Sequence, residues 1–327
     1  MKNLILKFPA QLQEALSIGQ KYEFKSAVKE FSNVVVTGLG GSGIGGSIVQ
    51  NYVFDKLSIP FLVNKDYSLP AFISDKSLVL VCSYSGNTEE TLESMHHALD
   101  KGATVVCITS GGKVAALAGE NGLDCIIVPG GMPPRSCLGY SLVQILYVIN
   151  HFGLIGDSFK TEIHAALEML IENSEAIQTD AMEVARKLFG KLPIIYSSGA
   201  YEGVAIRFRQ QLNENSKMLC WHAVIPEMNH NELVGWRDEA DDKCVVILRN
   251  HDDYTRVQTR IEINKQVFEK HTNNILEIYS QGNSYWEKAF YLIHLTDWVS
   301  VDLADLRNLD ATEVRVIDFL KGELAKV

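Results

Sequence analysis

Three hydroxyl side chains, Ser83, Ser85 and Thr88, fall within six residues, with Gly86 and Asn87 between them. The run before them, Ser77–Cys82, is apolar and β-branched. The run after them opens with Glu89 and Glu90, which suit the first turn of a helix. A helix N-terminus offers unpaired N–H groups and the positive end of a dipole. Hydroxyls add neutral donors, and a glycine lets backbone approach closely. This is chemistry for holding a phosphate without lysine or arginine, so that it can be released. The plainer reading is a capped helix, with Thr88 or Asn87 at the N-cap. Ligand binding is favoured by the place of the cluster, at the C-terminal end of a buried strand.

A second glycine-rich turn, Gly38-Leu39-Gly40-Gly41-Ser42-Gly43, matches G-x-G-x-x-G between a strand and a helix. That is the dinucleotide fingerprint, and it keeps a nicotinamide enzyme open as a rival. The acidic residue that would hold the ribose is poorly placed. Asp55 comes before the second strand and Asp66 falls beyond it. A tight turn with closely packed glycines is the alternative. No lysine follows the glycines, so a Walker A loop is excluded.

These loops need a scaffold. Strand-like runs at Asn33–Thr37, Pro60–Asn64, Ser77–Cys82, Thr104–Thr109 and Asp124–Val128 alternate with helix-like runs at 47–55 and 88–101. Continuous apolar strands between helices predict a parallel sheet covered on both faces. Helices follow over 136–151 and 160–188. The pattern then restarts with strands at Leu192–Ser197, Lys243–Leu248 and Asn274–Tyr279, and closes with helices near 285–305 and 312–325. The expected fold is therefore α/β, with two doubly wound parallel-sheet domains, at 1–153 and 154–327. A length of 327 residues suits two domains.

Composition bounds the partners. Apolar residues make up 46% and charged residues 21%, as in ordinary globular proteins. The net charge of −10 argues against a nucleic-acid or anionic membrane surface. None of the six cysteines forms a C-x-x-C pair, and four sit in apolar strand-like runs, as structural thiols in a reducing cytoplasm would. Met1–Lys7 meets charge too soon for a secretory leader.

With both loops in view, the chain resembles the sugar isomerase (SIS) domain family, and more narrowly the bifunctional phosphoglucose/phosphomannose isomerases, which carry two SIS domains. The resemblance rests on SYSGNTEET (83–91), GLGGSGIGG (38–46), PPRSCLGY (133–140), RQQLNENSK (209–217), EMNHNELVGW (227–236) and DATEVRVIDFLK (310–321). It implies that Ser83, Ser85 and Thr88 hold phosphate, and that Gly41 and Ser42 contact the sugar. Glu214 would be the carboxylate that shuttles a proton between two carbons. His230, sixteen positions on (230 − 214), would open the sugar ring, with a pKa suited to proton exchange near neutrality. The family can supply it from the other subunit of a homodimer. Arg135 would stabilise the enediolate, Lys321 would assist ring opening, and Thr312 would leave room for either C2 epimer.

Each assignment has a plainer counterpart: a solvated helical Glu214, a loop His230, a surface Arg135, an exposed Lys321 and an N-cap Thr312. His222, Glu227, His230 and Glu232 lack a recognised metal spacing. The expected activity is interconversion of glucose 6-phosphate, and also mannose 6-phosphate, with fructose 6-phosphate, using neither metal nor nucleotide. Three alternatives stay open: an isomerase of another phosphosugar, a non-catalytic sugar-phosphate-binding SIS protein, and an NAD-dependent dehydrogenase.

Overall fold

The computed structural model describes residues 1–324 and 326. The first half runs α1 (Lys2–Leu6), α2 (Phe8–Lys21), β1 (Asn33–Thr37), α3 (Gly40–Val53), β2 (Phe61–Asn64), β3 (Ser77–Cys82), α4 (Glu89–Asp100), β4 (Thr104–Thr109), α5 (Gly112–Glu120), β5 (Asp124–Ile127) and α6 (Leu138–His151). The second runs α7 (Ser158–Glu172), α8 (Ser174–Leu188), β6 (Leu192–Ser198), α9 (Glu202–Glu214), β7 (Trp221–Ile225), β8 (Lys243–Arg249), α10 (Thr255–Phe268), β9 (Ile275–Tyr279), α11 (Tyr285–Leu306) and α12 (Arg315–Leu324).

Two sheets form, in the orders β2-β1-β3-β4-β5 and β7-β6-β8-β9, and the pairings are parallel throughout. Alternate residues of each strand serve opposite faces. Val34, Val36, Leu78 and Leu80 join one core, while Val35, Val79 and Val81 join another under α4 and α5. The second sheet divides likewise: Ile195, Val246 and Leu248 join the first core, and Ile194, Val245 and Ile247 face α10. Strands buried on both faces must be apolar throughout, which explains the unbroken runs. The inner faces of both sheets share one core, through α2, α3, α6 and α11. Helix α11 is buried over most of its 22 residues. This shared core explains why no linker composition marks a boundary.

Several expectations need correction. The glycine stretch is mostly helix, because α3 starts at Gly40. Close packing overrides poor helix propensity there: a Cβ on Gly43 would sit 2.1 Å from the Gly38 carbonyl oxygen, and one on Gly46 would sit 2.9 Å from Val36. The helix expected over 160–188 is two, α7 and α8. They are separated at Asn173, whose side chain bonds back to the Met169 carbonyl at 2.8 Å. Strand β7 was not expected. It is short, half exposed and followed at once by Pro226. Helix α12 begins at Arg315, so Thr312 is not its N-cap.

Candidate active site

The strand order of the first sheet reverses between β1 and β3, and at such a point the crevice beyond the strand ends takes ligands in open α/β folds. The glycine turn follows β1 and the hydroxyl loop follows β3. Thr88 stands at the N-cap of α4, yet its hydroxyl makes no cap bond; Ser83 Oγ donates to it at 3.0 Å. The capped-helix reading therefore gives the position but not the bond, and the first-turn amides stay available to an anion. Ser83 is buried and Ser85 exposed. Gly86 has a φ of +68°, and a Cβ there would lie 1.8 Å from the Gly111 carbonyl oxygen, so the turn itself demands glycine. Tyr84 anchors the loop from below: its hydroxyl donates to the Pro129 carbonyl at 2.9 Å, and its carbonyl accepts from Ser110 at 2.6 Å.

The two loops are tied together. Tyr84 N–H donates to Ser42 Oγ at 2.9 Å. Gly41 packs on the short 3-10 turn Pro134–Ser136, where a Cβ would come within 2.8 Å of the Pro134 carbonyl and the Arg135 nitrogen. Between these loops remains a space of about 10 Å³, lined by Gly41, Ser42, Ser83 and Tyr84 among others, which holds no more than a water. The strand order is not that of the dinucleotide fold, whose first strands run 3-2-1. The glycines serve helix and loop packing. Asp66, beyond β2, accepts the N–H of its own neighbour Tyr67 at 2.7 Å. The dinucleotide reading finds no support in this geometry.

Arg135 is buried and crosses to the second half of the chain. Its Nη1 lies 3.5 Å from Glu214 Oε2, its Nε donates to Asn215 Oδ1 at 2.7 Å, and its Nη2 donates to the carbonyls of Ala311 and Thr312 at 2.7 and 3.0 Å. Burial draws the guanidinium pKa down, and Glu214, Asp310 and Glu313 draw it back; a guanidinium keeps its charge regardless. Glu214 ends α9, a quarter exposed beside this cation. Lys217 stitches the same segment from the other side: its Nζ donates to the Glu214 carbonyl at 2.5 Å and the Glu313 carbonyl at 2.7 Å. Burial lowers the pKa of that ammonium, Glu313 opposes the shift, and Arg135 reinforces it. Three consecutive carbonyls, of Ala311, Thr312 and Glu313, thus meet two cations.

One chain of contacts therefore joins Ser83, Thr88, Gly41, Ser42, Arg135, Glu214 and the Thr312 backbone, while the Thr312 residue is itself exposed. His230 and Lys321 stand outside it. Helix α9 returns Glu214 to the starting edge of the second sheet. Strand β7 then crosses to the finishing edge, about 16 Å for five residues. His230 follows, exposed in the 3-10 turn Glu227–His230, and the chain then turns back, so that Glu232 accepts Trp221 Nε1, from the first residue of β7, at 3.0 Å. Lys321 is exposed on α12, which buries no side chain.

Sequence reasoning overlooked Arg207, Gln211, Asn215, Lys217 and Asp297. The first three recur every fourth residue along α9 and its C-cap and are all buried, with Arg207 paired to Asp297 at 2.6 Å. A polar stripe at helical spacing, and an aspartate at 297 inside the apolar run of α11, were the available signals.

Residues 29–130 match the SIS domain family, and residues 177–324 match the bacterial phospho-glucose isomerase C-terminal SIS domain. A bifunctional phosphoglucose/phosphomannose isomerase of Caldicellulosiruptor bescii is 39% identical, over 99% of this chain and 98% of its own length. One from Aquifex aeolicus is 38% identical, over 94% and 95%. Among solved structures, the C-terminal domain of glucosamine-fructose-6-phosphate aminotransferase from Francisella tularensis has a TM-score of 0.77, covering 95% of this chain and 97% of that one. Its identity is 14%, so the likeness is one of fold. The fold is thus two SIS domains, and by its similarity along nearly the whole length the chain belongs to the bifunctional phosphoglucose/phosphomannose isomerase family.

Proposed function

We propose that this chain interconverts glucose 6-phosphate and mannose 6-phosphate with fructose 6-phosphate through an enediolate. The observation that carries the reading is the approach of Arg135 to Glu214 at 3.5 Å, within contacts continuous with the hydroxyl loop. Ser83, Ser85 and Thr88, with the α4 amides, hold the phosphate, and Gly41 and Ser42 meet the sugar. With the ring opened, Glu214 takes the proton from C1 of the ketose. The electron pair forms the C1–C2 double bond, and the C2 carbonyl oxygen takes on negative charge beside Arg135. Glu214 then returns the proton to C2. The O1 proton leaves as the C1 carbonyl forms, and O2 gains a proton. Delivery to either face of C2 yields the two epimers, with Thr312 leaving room for both. His230 and Lys321 serve ring opening.

The domain division at 153/154 falls in the turn between α6 and α7. We also read the chain as a homodimer in the cytoplasm. Two facts favour the dimer: His230 makes none of the contacts that join Glu214 to Arg135, and apolar side chains are exposed both on the segment around β7 and on α12. These include Leu219, Trp221 and Val234, and Val316, Phe319 and Leu320. The cytoplasmic reading rests on six free thiols; no helix among the described residues is long and apolar enough to cross a membrane.

Incubation with fructose 6-phosphate in deuterated water tests the reaction. Deuterium at C2 of newly formed glucose and mannose 6-phosphates is expected. Binding without turnover or exchange would favour a sensor, and turnover of a different phosphosugar alone would reassign the substrate.

A further inference from the structure

Arg135 can act on one developing charge only if its guanidinium is held in one orientation. A guanidinium only donates hydrogen bonds. Asn215 must therefore turn Oδ1 toward Nε, at 2.7 Å, which directs its Nδ2 to Ser300 Oγ at 2.9 Å. Ser300 then donates to the Asp297 carbonyl at 2.6 Å. The Asp297 carboxylate accepts Arg207 Nε at 3.1 Å, Arg207 Nη2 at 2.6 Å and Gln211 at 3.0 Å. Arg207 Nη2 closes the circuit on the Arg135 carbonyl at 3.1 Å. The ring leaves Arg135 by its side chain and returns to its backbone. All its members are buried. Burial pushes the Asp297 carboxyl up, and Arg207 and Gln211 oppose that.

We propose that Asn215, backed by Arg207 and Asp297, is a positioning residue for Arg135. With Nε and Nη2 occupied by protein, Nη1 is the arm left facing Glu214 and the enediolate oxygens. The proposal rests on the isomerase reading above. A ring that only stitched the two halves together would need no polar group aimed at Nε, because apolar residues of similar size fill such space as well or better.

Asn215→Asp is the test. It keeps the shape and places a negative charge against Nε. Wild type, Asn215→Asp, Arg135→Ala and the double variant are assayed with fructose 6-phosphate across pH. We expect kcat of Asn215→Asp to fall about 10–100-fold, with KM changed less than about twofold, because the phosphate grip at 83–88 is untouched. The acid limb of the kcat profile should move to higher pH, since an added negative charge raises the proton affinity of Glu214. The loss should be several-fold smaller when Arg135 is already alanine. Should Asn215→Asp fold poorly in thermal melts, Ser300→Ala removes the acceptor behind Asn215 without adding charge, and it should lower kcat at unchanged KM. Wild-type kcat with an unmoved pH limb in Asn215→Asp, or an equal loss with and without Arg135, overturns the proposal. So does an unchanged kcat in Ser300→Ala. A wild type that turns over no fructose 6-phosphate instead overturns the isomerase reading, and this proposal with it.

Discussion

Glu214 and Arg135 belong to different halves of the chain, yet they approach to 3.5 Å, and their division of labour follows from what surrounds each. Arg135 is buried, donor-only and tied down on two of its three nitrogens. Glu214 is a quarter exposed, with its carboxylate beside Arg135 Nη1. One group is fixed and permanently charged; the other keeps access to solvent. Glu214→Gln keeps the shape and removes the basicity. We expect kcat to fall on the order of 10²–10⁴-fold, with KM for fructose 6-phosphate nearly unchanged. Steady-state kinetics with parallel exchange into deuterated water checks this, and a variant that isomerises at the wild-type rate would remove Glu214 from the mechanism. At this scale the hydroxyl loop was readable from residue types alone. Its glycine is required by local backbone geometry, and its hydroxyls and the acidic first turn of α4 suit a helix N-terminus. Glu214 was not readable in that way. Its proposed role depends on a cation 79 positions away in sequence (214 − 135), and only the family resemblance connected them. Lys217 went unnoticed for the same reason, since its two acceptors lie in different elements.

Helices α3 and α11 show why element boundaries are read less well than elements. The glycines of α3 looked like loop because glycine disfavours helix. They are helical because β1, β2 and α6 approach where any side chain would collide, as at Gly45, whose Cβ would lie 3.0 Å from Ser141 Oγ. That pressure is tertiary and leaves no local trace. The apolar length of α11 was legible, while its buried polar contents were not. His294 in that helix is stacked on Phe8 at 5.8 Å and accepts from Trp298 at 3.4 Å. Burial pulls its pKa from 6.5 to about 4. Between those values the unfolded chain binds a proton that the folded chain refuses. Stability is therefore retained above about pH 6.5, falls as pH drops, and has lost about 3 kcal/mol from this group once pH is below about 4. Burial, reinforced by Arg209 and Lys65, lowers His222 to about 4 as well, so it acts in the same direction. His294→Gln should flatten the acid limb in urea unfolding measured across pH, leaving the part due to His222. An acid dependence identical to wild type would mean that His294 titrates normally.

The molecule repeats one strand order twice but builds the hydroxyl loop once. In the second sheet the corresponding crevice, between the ends of β6 and β8, already contains an anion. The Asp253 carboxylate accepts Ser198 Oγ at 2.7 Å and the Asn250 N–H at 3.0 Å. The second domain instead contributes Glu214, and the shared core holds the two halves close enough for Arg135 to reach it. Two domains were legible from the restart of the strand pattern. Their fusion into one core was not, since it depends on which faces meet. In the proposed homodimer, His230 of one chain completes the site that holds Glu214 of the other. This has a quantitative consequence. Glu214→Gln and His230→Ala homodimers should each be nearly inactive. If they are mixed and allowed to exchange subunits, half of the dimers become mixed pairs. In such a pair one site carries both lesions and the other carries neither. Activity should therefore recover to about a quarter of wild type, with KM for fructose 6-phosphate restored to the wild-type value. Were both residues to act within a single chain, every site in every mixed dimer would carry one lesion. Activity would then stay at the level of the separate variants, and the assignment of His230 to the partner's site would fail.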